Sequence, residues 1–240
     1  DSDNSRLQLQ SRELVSARVG DKPLIEAMLR VEMDDGFWID PAAFLSSAQN
    51  FGLSHSIDTW MLRNSLATLV DSPSLGESHE LLLVPIAGDS LLSENFVAEL
   101  EAIVENSLVK PERLVLLVDE LSARNRPSKV AAFRKKLTEL GVGFGLRQCR
   151  IGALDDLILR LKPQLVGLHG SLASRATTAA VEHQISCFKA FGADQGYRTY
   201  ASDIADGDKR SHLQRAGVDF VGDQGGPLGP LSVFVGLSAS

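Results

Sequence analysis

Cysteine is almost absent: Cys149 and Cys187 are the only two in 240 residues, far apart and without a companion cysteine or metal-ligand spacing. That excludes a disulfide framework and a cysteine-built metal site, and it implies reduced thiols in a cytoplasmic protein. Long apolar runs are missing as well. No stretch approaches the ~20 residues of a membrane span, and no secretory signal is present. Positive charge is in short supply, since 24 Lys and Arg face 31 Asp and Glu for a net charge of −7. A nucleic-acid polymer therefore finds no broad electrostatic attraction, whereas a local basic pocket for a small anion is still compatible. The chain also lacks a glycine-rich phosphate loop, a Ser or Cys nucleophile with a matching base, repeats and low-complexity tracts. Of the five histidines, His55, His79, His183 and His212 share no ligand spacing, and His169 stands alone.

What is present is alternation. Hydrophobic residues make up 44% of the chain, and an α/β barrel of ~250 residues fits this length without a second domain. Strands are predicted at 11–19, 24–30, 81–86, 114–118, 144–148, 164–168, 197–202 and 219–221. Between them come helix-period segments. One runs from Asp40-Pro41, a capping side chain followed by proline at the first helical position, to Gly52. Others carry Ile57, Trp60, Met61, Leu66 and Leu69, then Leu92, Phe96, Leu100 and Val104, and then span 130–140, 153–161, 176–191 and 209–216. The alternation predicts parallel βαβ units, and the strand number suits a closed TIM-like (β/α)8 barrel better than an open sheet. Residues 1–12 are polar and read as a linker from an upstream domain, where any anchoring or sensory segment would lie.

The stretch Leu24-Ile25-Glu26-Ala27-Met28-Leu29-Arg30 sets an acid and a base on one face of an extended segment, because Glu26, Met28 and Arg30 alternate with Ile25, Ala27 and Leu29. Two readings fit this spacing: an internal ion pair or solvated sheet edge, or a face that opens into a polar pocket such as a barrel mouth.

Glu26-Ala27-Met28-Leu29-Arg30, then Gly36-Phe37-Trp38-Ile39-Asp40-Pro41, Phe44, Ala48, Gly52-Leu53, Ile57-Asp58 and Trp60 resemble the opening of an EAL domain. That family comprises the cyclic-di-GMP phosphodiesterases and their non-catalytic relatives. The resemblance runs through nearly the whole chain and is clearest over 25–66, and it implies one EAL-type barrel over 1–240. In the enzymes, acids hold a pair of divalent cations and a lysine orients the attacking water, an arrangement suited to phosphodiester hydrolysis. Glu26 matches the first acid. The Gln-Pro pair of the first strand has its nearest match in Ala17-Arg18. Pro85-Ile86-Ala87 stands for Asn-Leu-Ser, and Leu117-Val118-Asp119-Glu120 for Glu-x-Thr-Glu, keeping only Glu120. Arg147-Gln148-Cys149-Arg150-Ile151-Gly152 replaces Asp-Asp-Phe-Gly-Thr-Gly, which puts a guanidinium where a dication would sit. Gly167-Leu168-His169 lacks the lysine, and Ala201-Ser202-Asp203-Ile204-Ala205 lacks both glutamates of Ala-Glu-Gly-Val-Glu. Asp155-Asp156 reads as the exposed first turn of a helix rather than a displaced metal pair.

With only Glu26 and Glu120 left of the cage, the resemblance implies a non-catalytic member without bound metal or other cofactor. Its function would be cyclic-di-GMP-related signalling through a protein partner, in regulation such as biofilm formation or motility. The alternative is a receptor that binds cyclic di-GMP without cleaving it. Glu26, Met28 and Arg30 match ligand-contacting positions of the family, and Glu120, Arg147 and Arg150 complete the set of candidate binding remnants. Homodimerisation through helices near the altered strand ends is a further implied arrangement. The expected location is the cytoplasm, within a larger multidomain or membrane-associated protein.

Overall fold

Apolar strands separated by amphipathic helices close the chain into a barrel. The computed structural model describes residues 6–32, 38–39, 41–151, 155–204, 206–222 and 235–236. In chain order the elements are β1 (Arg6–Ser16), β2 (Leu24–Glu32), β3 (Trp38–Ile39), α1 (Pro41–Asn50), α2 (Ser54–Asp71), α3 (Pro73–Ser78) and β4 (Leu82–Ile86). There follow α4 (Glu94–Glu105), β5 (Leu114–Asp119), α5 (Glu120–Asn125), α6 (Pro127–Glu139), β6 (Gly143–Cys149), α7 (Asp155–Leu161) and β7 (Leu165–Leu168). The chain ends with α8 (Gly170–Ala173), α9 (Ala179–Gln195), β8 (Arg198–Ala201), α10 (Gly207–Arg215), β9 (Phe220–Gly222) and β10 (Val235–Gly236).

Eight strands pair in the order β1–β2–β4–β5–β6–β7–β8–β9, and β9 returns to β1. All neighbours are parallel except β1, which runs antiparallel to both β2 and β9. The expected closed barrel is therefore present, with one inverted strand that the alternation pattern did not reveal. Residues 6–12, read from sequence as linker, belong to β1 and pair with β2 from Arg6↔Glu32 to Leu14↔Leu24. The Asp40 cap lies outside the described residues.

Two apolar clusters follow from strand alternation. Leu14, Leu24, Leu83, Val115, Leu117, Leu165, Tyr200 and Phe220 fill the barrel. The intervening residues, such as Val84, Leu116, Val118, Leu146 and Val166, face out against Ile57, Leu62, Phe96, Leu100, Val130, Phe133, Ile185 and Leu213 of the helices. Each fully buried Leu or Phe contributes about 1.5–3 kcal/mol. Two glycines make room for the inner layer. A Cβ at Gly145 would stand 2.6 Å from Leu117 Cδ2, and one at Gly167 would run into the Tyr200 ring.

β2 meets β4 only at Ile25 and Glu26, whereas its pairing with β1 continues to Glu32. The β1–β2 hairpin thus rises past the barrel rim. Its inward-parity residues there are Gln8, Gln10, Met28 and Arg30, all half-buried. The other face, with Leu7, Leu9, Ala27, Leu29 and Val31, belongs to the outer core.

Candidate functional site

In a parallel barrel the residues able to do chemistry lie where the strands end. Above the inner apolar layer, β1 contributes Arg12, β2 Glu26, β5 Asp119, β6 Arg147, and the residues after β8 contribute Ser202 and Asp203. Arg12 is the hub: its Nη1 donates to Glu26 Oε2 at 3.3 Å and its Nη2 to Asp203 Oδ1 at 2.5 Å. The Arg12 and Glu26 side chains are each 7% exposed. Across the mouth, Arg147 Nε lies 3.0 Å from Asp119 Oδ1, and the two residues are register partners of adjacent strands.

Burial pushes the Glu26 carboxyl above the usual carboxylate range, and the Arg147 and Arg12 guanidiniums and a Ser202 hydrogen bond only partly offset it. Burial opposes the charge of Arg147, but Asp119 and then Glu26 raise its pKa nevertheless. Each charge is thus held by an internal counter-charge. Beneath them the Tyr200 hydroxyl is buried with no hydrogen-bond partner among the described residues. Its pKa is pushed well up, chiefly by burial and then by Glu26.

The backbone is bent to deliver these groups. Gln148 and Asp203 adopt left-handed conformations, φ +55° and +65°, at the ends of β6 and β8. Such values cost a non-glycine residue roughly 1–3 kcal/mol and persist where surrounding contacts hold them. For Asp203 the visible contact is Arg12. On the other side of the rim Asp58, buried on α2, accepts from Ala87 N at 2.8 Å and from Ser90 Oγ at 2.6 Å, tying the loop after β4 to the helix. Burial lifts its carboxyl to about 7 despite those two bonds.

At the ends of β5–β7, Glu120 is buried at the start of α5. It accepts Arg124 Nε at 2.5 Å and the Arg150 backbone N–H at 2.7 Å. Arg150 Nη2 lies 3.5 Å from His169 Nε2, and His169 Nδ1 accepts the Ser171 backbone N–H at 3.0 Å.

The residues singled out by sequence therefore fall into three places. Glu26 and Arg147 share the inner lattice, Glu120 and Arg150 form the neighbouring cluster, and Met28 and Arg30 stand on the projecting hairpin. The internal ion pair and the polar mouth, alternatives from sequence, are both present, but Glu26 pairs with Arg12 and not with Arg30 in that contact. One expectation is corrected. Ala17-Arg18 sits at the opposite end of the barrel, where Ala17 N donates to Asp219 O. The part of β1 that reaches the mouth is its first half: Arg12, and beyond it Gln10 and Gln8, opposite Met28 and Arg30. Sequence reasoning also missed Arg12, Asp203 and Asp58. Asp156 is exposed on α7 and pairs with Arg160 at 2.8 Å, as a helix first turn should.

A pair of divalent cations needs several anionic oxygens converging without a competing cation. Here Arg12 spans two of the mouth's carboxylates and Arg147 holds a third, so the donor set does not fit such a pair. Among the described residues no three His, Cys, Asp or Glu side chains are grouped to hold a metal ion. None of the described helices is long and apolar enough to cross a membrane.

Comparison with solved structures finds this same architecture. The FimX EAL domain of Pseudomonas aeruginosa bound to cyclic di-GMP superposes with a TM-score of 0.81 at 21% identity, covering 91% of this chain and 90% of that one. The Xanthomonas citri FimX EAL domain, also with cyclic di-GMP, gives 0.79 at 24% identity, covering 90% and 85%. Cyclic di-GMP phosphodiesterase PdeF of Escherichia coli K12 is 25% identical over 161 residues, 67% of this chain, which spans only 21% of PdeF's length. Residues 2–225 match the family model described as EAL domain, and the chain belongs to the EAL domain family.

Proposed function

We propose that this EAL domain is catalytically silent and serves cyclic-di-GMP-related signalling through contacts with a protein partner. The observation that carries the reading is the guanidinium lattice: Arg12 on Glu26 and Asp203, Arg147 on Asp119. It leaves the retained glutamate committed to an arginine, and Arg147 stands where the resemblance puts an aspartate. A barrel kept intact while its mouth is rewritten retains a surface for partners. The domain would act in the cytoplasm as part of a larger protein. Incubation with cyclic di-GMP and Mg²⁺ or Mn²⁺, followed by chromatography, should yield no linear dinucleotide; turnover would refute the reading.

A second reading, a non-hydrolysing cyclic-di-GMP receptor, is favoured by the projecting hairpin, where Arg30 and Met28 stand opposite Gln8 and Gln10 on one face. The FimX domains whose architecture this chain shares were solved with that nucleotide. Calorimetry separates the two: no heat with cyclic di-GMP supports the first, while binding that Arg30→Ala abolishes supports the second. A homodimer through helices beside the mouth would show in sedimentation as a concentration-dependent mass.

A further inference from the structure

We propose that His183 and Cys187 form half of a Zn²⁺ site on the outer face of α9, and that the same pair from a second copy of this chain completes it. Histidines and cysteines taken as separate classes show no ligand spacing, so the pair is passed over in sequence. Taken together, the two residues stand four apart on α9, and i,i+4 side chains are neighbours on one helix face. The expectation that Cys187 lacks metal-ligand spacing is therefore corrected. Both side chains are exposed, and Cys187 Sγ lies 3.6 Å from His183 Nε2. Zinc bonds of ~2.3 Å to sulfur and ~2.05 Å to nitrogen, opened to a tetrahedral angle, set those two donors about 3.6 Å apart. The pair already stands at the bite of a tetrahedral ion.

One chain supplies only this pair. Among the described residues no third His, Cys, Asp or Glu is grouped with it, whereas a closed zinc site takes about four protein ligands. The helix face around the pair indicates where the others come from. Between Ala179 and Ala193 the exposed positions of α9 hold alanine, glutamine, His183 and Cys187, and no Asp, Glu, Lys or Arg. The charged side chains within that span turn to neighbours, Glu182 to His212 at 3.3 Å and Lys189 to Asp219 at 2.6 Å. Ala180, His183, Cys187 and Ala190 follow one another at helical spacings along a single seam, and they are placed symmetrically about Ile185. Two such helices packed antiparallel, with a two-fold axis at that level, bring His183 opposite Cys187 of the second copy and Ala180 opposite its Ala190. The small alanines on either side let the helix axes approach to ~8 Å. Each cysteine releases a proton on binding, and two thiolates neutralise the dication, so no net charge is buried. The site depends on neither reading of the mouth, and its dimer, unlike one through helices beside the mouth, requires metal.

Zn²⁺, and Co²⁺ as a coloured stand-in for it, are titrated into the whole chain in the presence of a phosphine reductant, with absorption spectra and sedimentation read together. Expected are the intense visible bands of a tetrahedral Co²⁺ ion, a near-ultraviolet thiolate-to-cobalt band and a single metal shared between two chains. With Zn²⁺ the sedimenting mass should double, and EDTA should return it to that of the monomer. Cys187→Ser should lose the thiolate band and the doubling, and His183→Gln the doubling. Both positions are exposed, so circular dichroism should stay that of the wild type in each variant. Ala190→Arg puts a bulky charge on the seam and should lose the Zn²⁺-driven doubling while remaining folded. The weak spectrum of an octahedral ion, or a thiolate band that survives Cys187→Ser, overturns the site. Metal bound by each chain separately at monomer mass overturns the role of the second copy, as does full doubling in Ala190→Arg. A dimer that persists in EDTA and disappears only when the reductant is raised is a disulfide through Cys187, and it overturns the metal bridge.

Discussion

Asp58→Asn should make the protein more stable at neutral pH. Asp58 is 4% exposed, and both of its hydrogen bonds, from Ala87 N and Ser90 Oγ, fall on the single oxygen Oδ2. An asparagine Oδ1 can accept the same two bonds without a charge to desolvate. Burial, and to a smaller extent the negative charge of Asp119, raise the carboxyl from 3.8 to about 7. The folded state therefore holds a proton that the unfolded chain has released across pH 4–7, so stability falls as pH rises through that window and levels off above it. The span is about three pH units at ~1.4 kcal/mol each, roughly 4 kcal/mol in all, of which about 2–3 kcal/mol lies between pH 5 and pH 8. Urea denaturation of both proteins at pH 5, 6, 7 and 8 gives the difference directly, and other titrating groups cancel. The advantage of the variant should grow by about 2–3 kcal/mol over that range. A difference that stays flat, or a variant less stable than wild type at pH 8, would show that burial does not hold a proton on Asp58.

Other substitutions probe the lattice and the barrel interior. Arg12→Met leaves Glu26 buried beside Arg147 alone and should cost about 3–5 kcal/mol by urea denaturation, whereas Arg12→Met with Glu26→Leu should recover most of the loss. Gly167→Ala drives a methyl into the Tyr200 ring and should cost roughly 1–3 kcal/mol in the same assay, while Gly170→Ala, with no heavy atom within 4 Å of the added Cβ, stays within about 0.5 kcal/mol. At the other end of the barrel, Arg198 clasps Glu80 through two bonds of 2.9 and 2.8 Å, yet both side chains are more than a third exposed. Glu80→Gln should therefore cost less than ~1 kcal/mol, and less still in high salt.

The barrel was legible because its signal is local. Leu114–Asp119 reads as a near-continuous apolar run whichever strands flank it, and Gly141, at φ +73°, ends α6 as its sequence position suggested. The lattice was not legible, because its members meet only after closure. Arg12 and Asp203 are 191 residues apart, and their contact depends on β1 entering upside down between β2 and β9, which hydrophobic period does not encode. The same inversion misplaced Ala17-Arg18: a strand taken as parallel sends its last residues to the mouth, and the antiparallel one sends Gln8 and Gln10. Asp58 escaped notice since it sits on a covering helix, within a motif that looked like scaffold. Asp203 did leave a trace, being an acid where the resembling motif has a glycine, and the left-handed backbone explains that glycine.

Whether guanidiniums already hold the mouth's carboxylates is read from a Mn²⁺ titration followed by electron paramagnetic resonance. Free-ion signal is expected throughout the micromolar range, in wild type and in Glu26→Gln alike. A pair of Mn²⁺ ions taken up tightly by the wild type and lost in Glu26→Gln would show that the carboxylates are not so held.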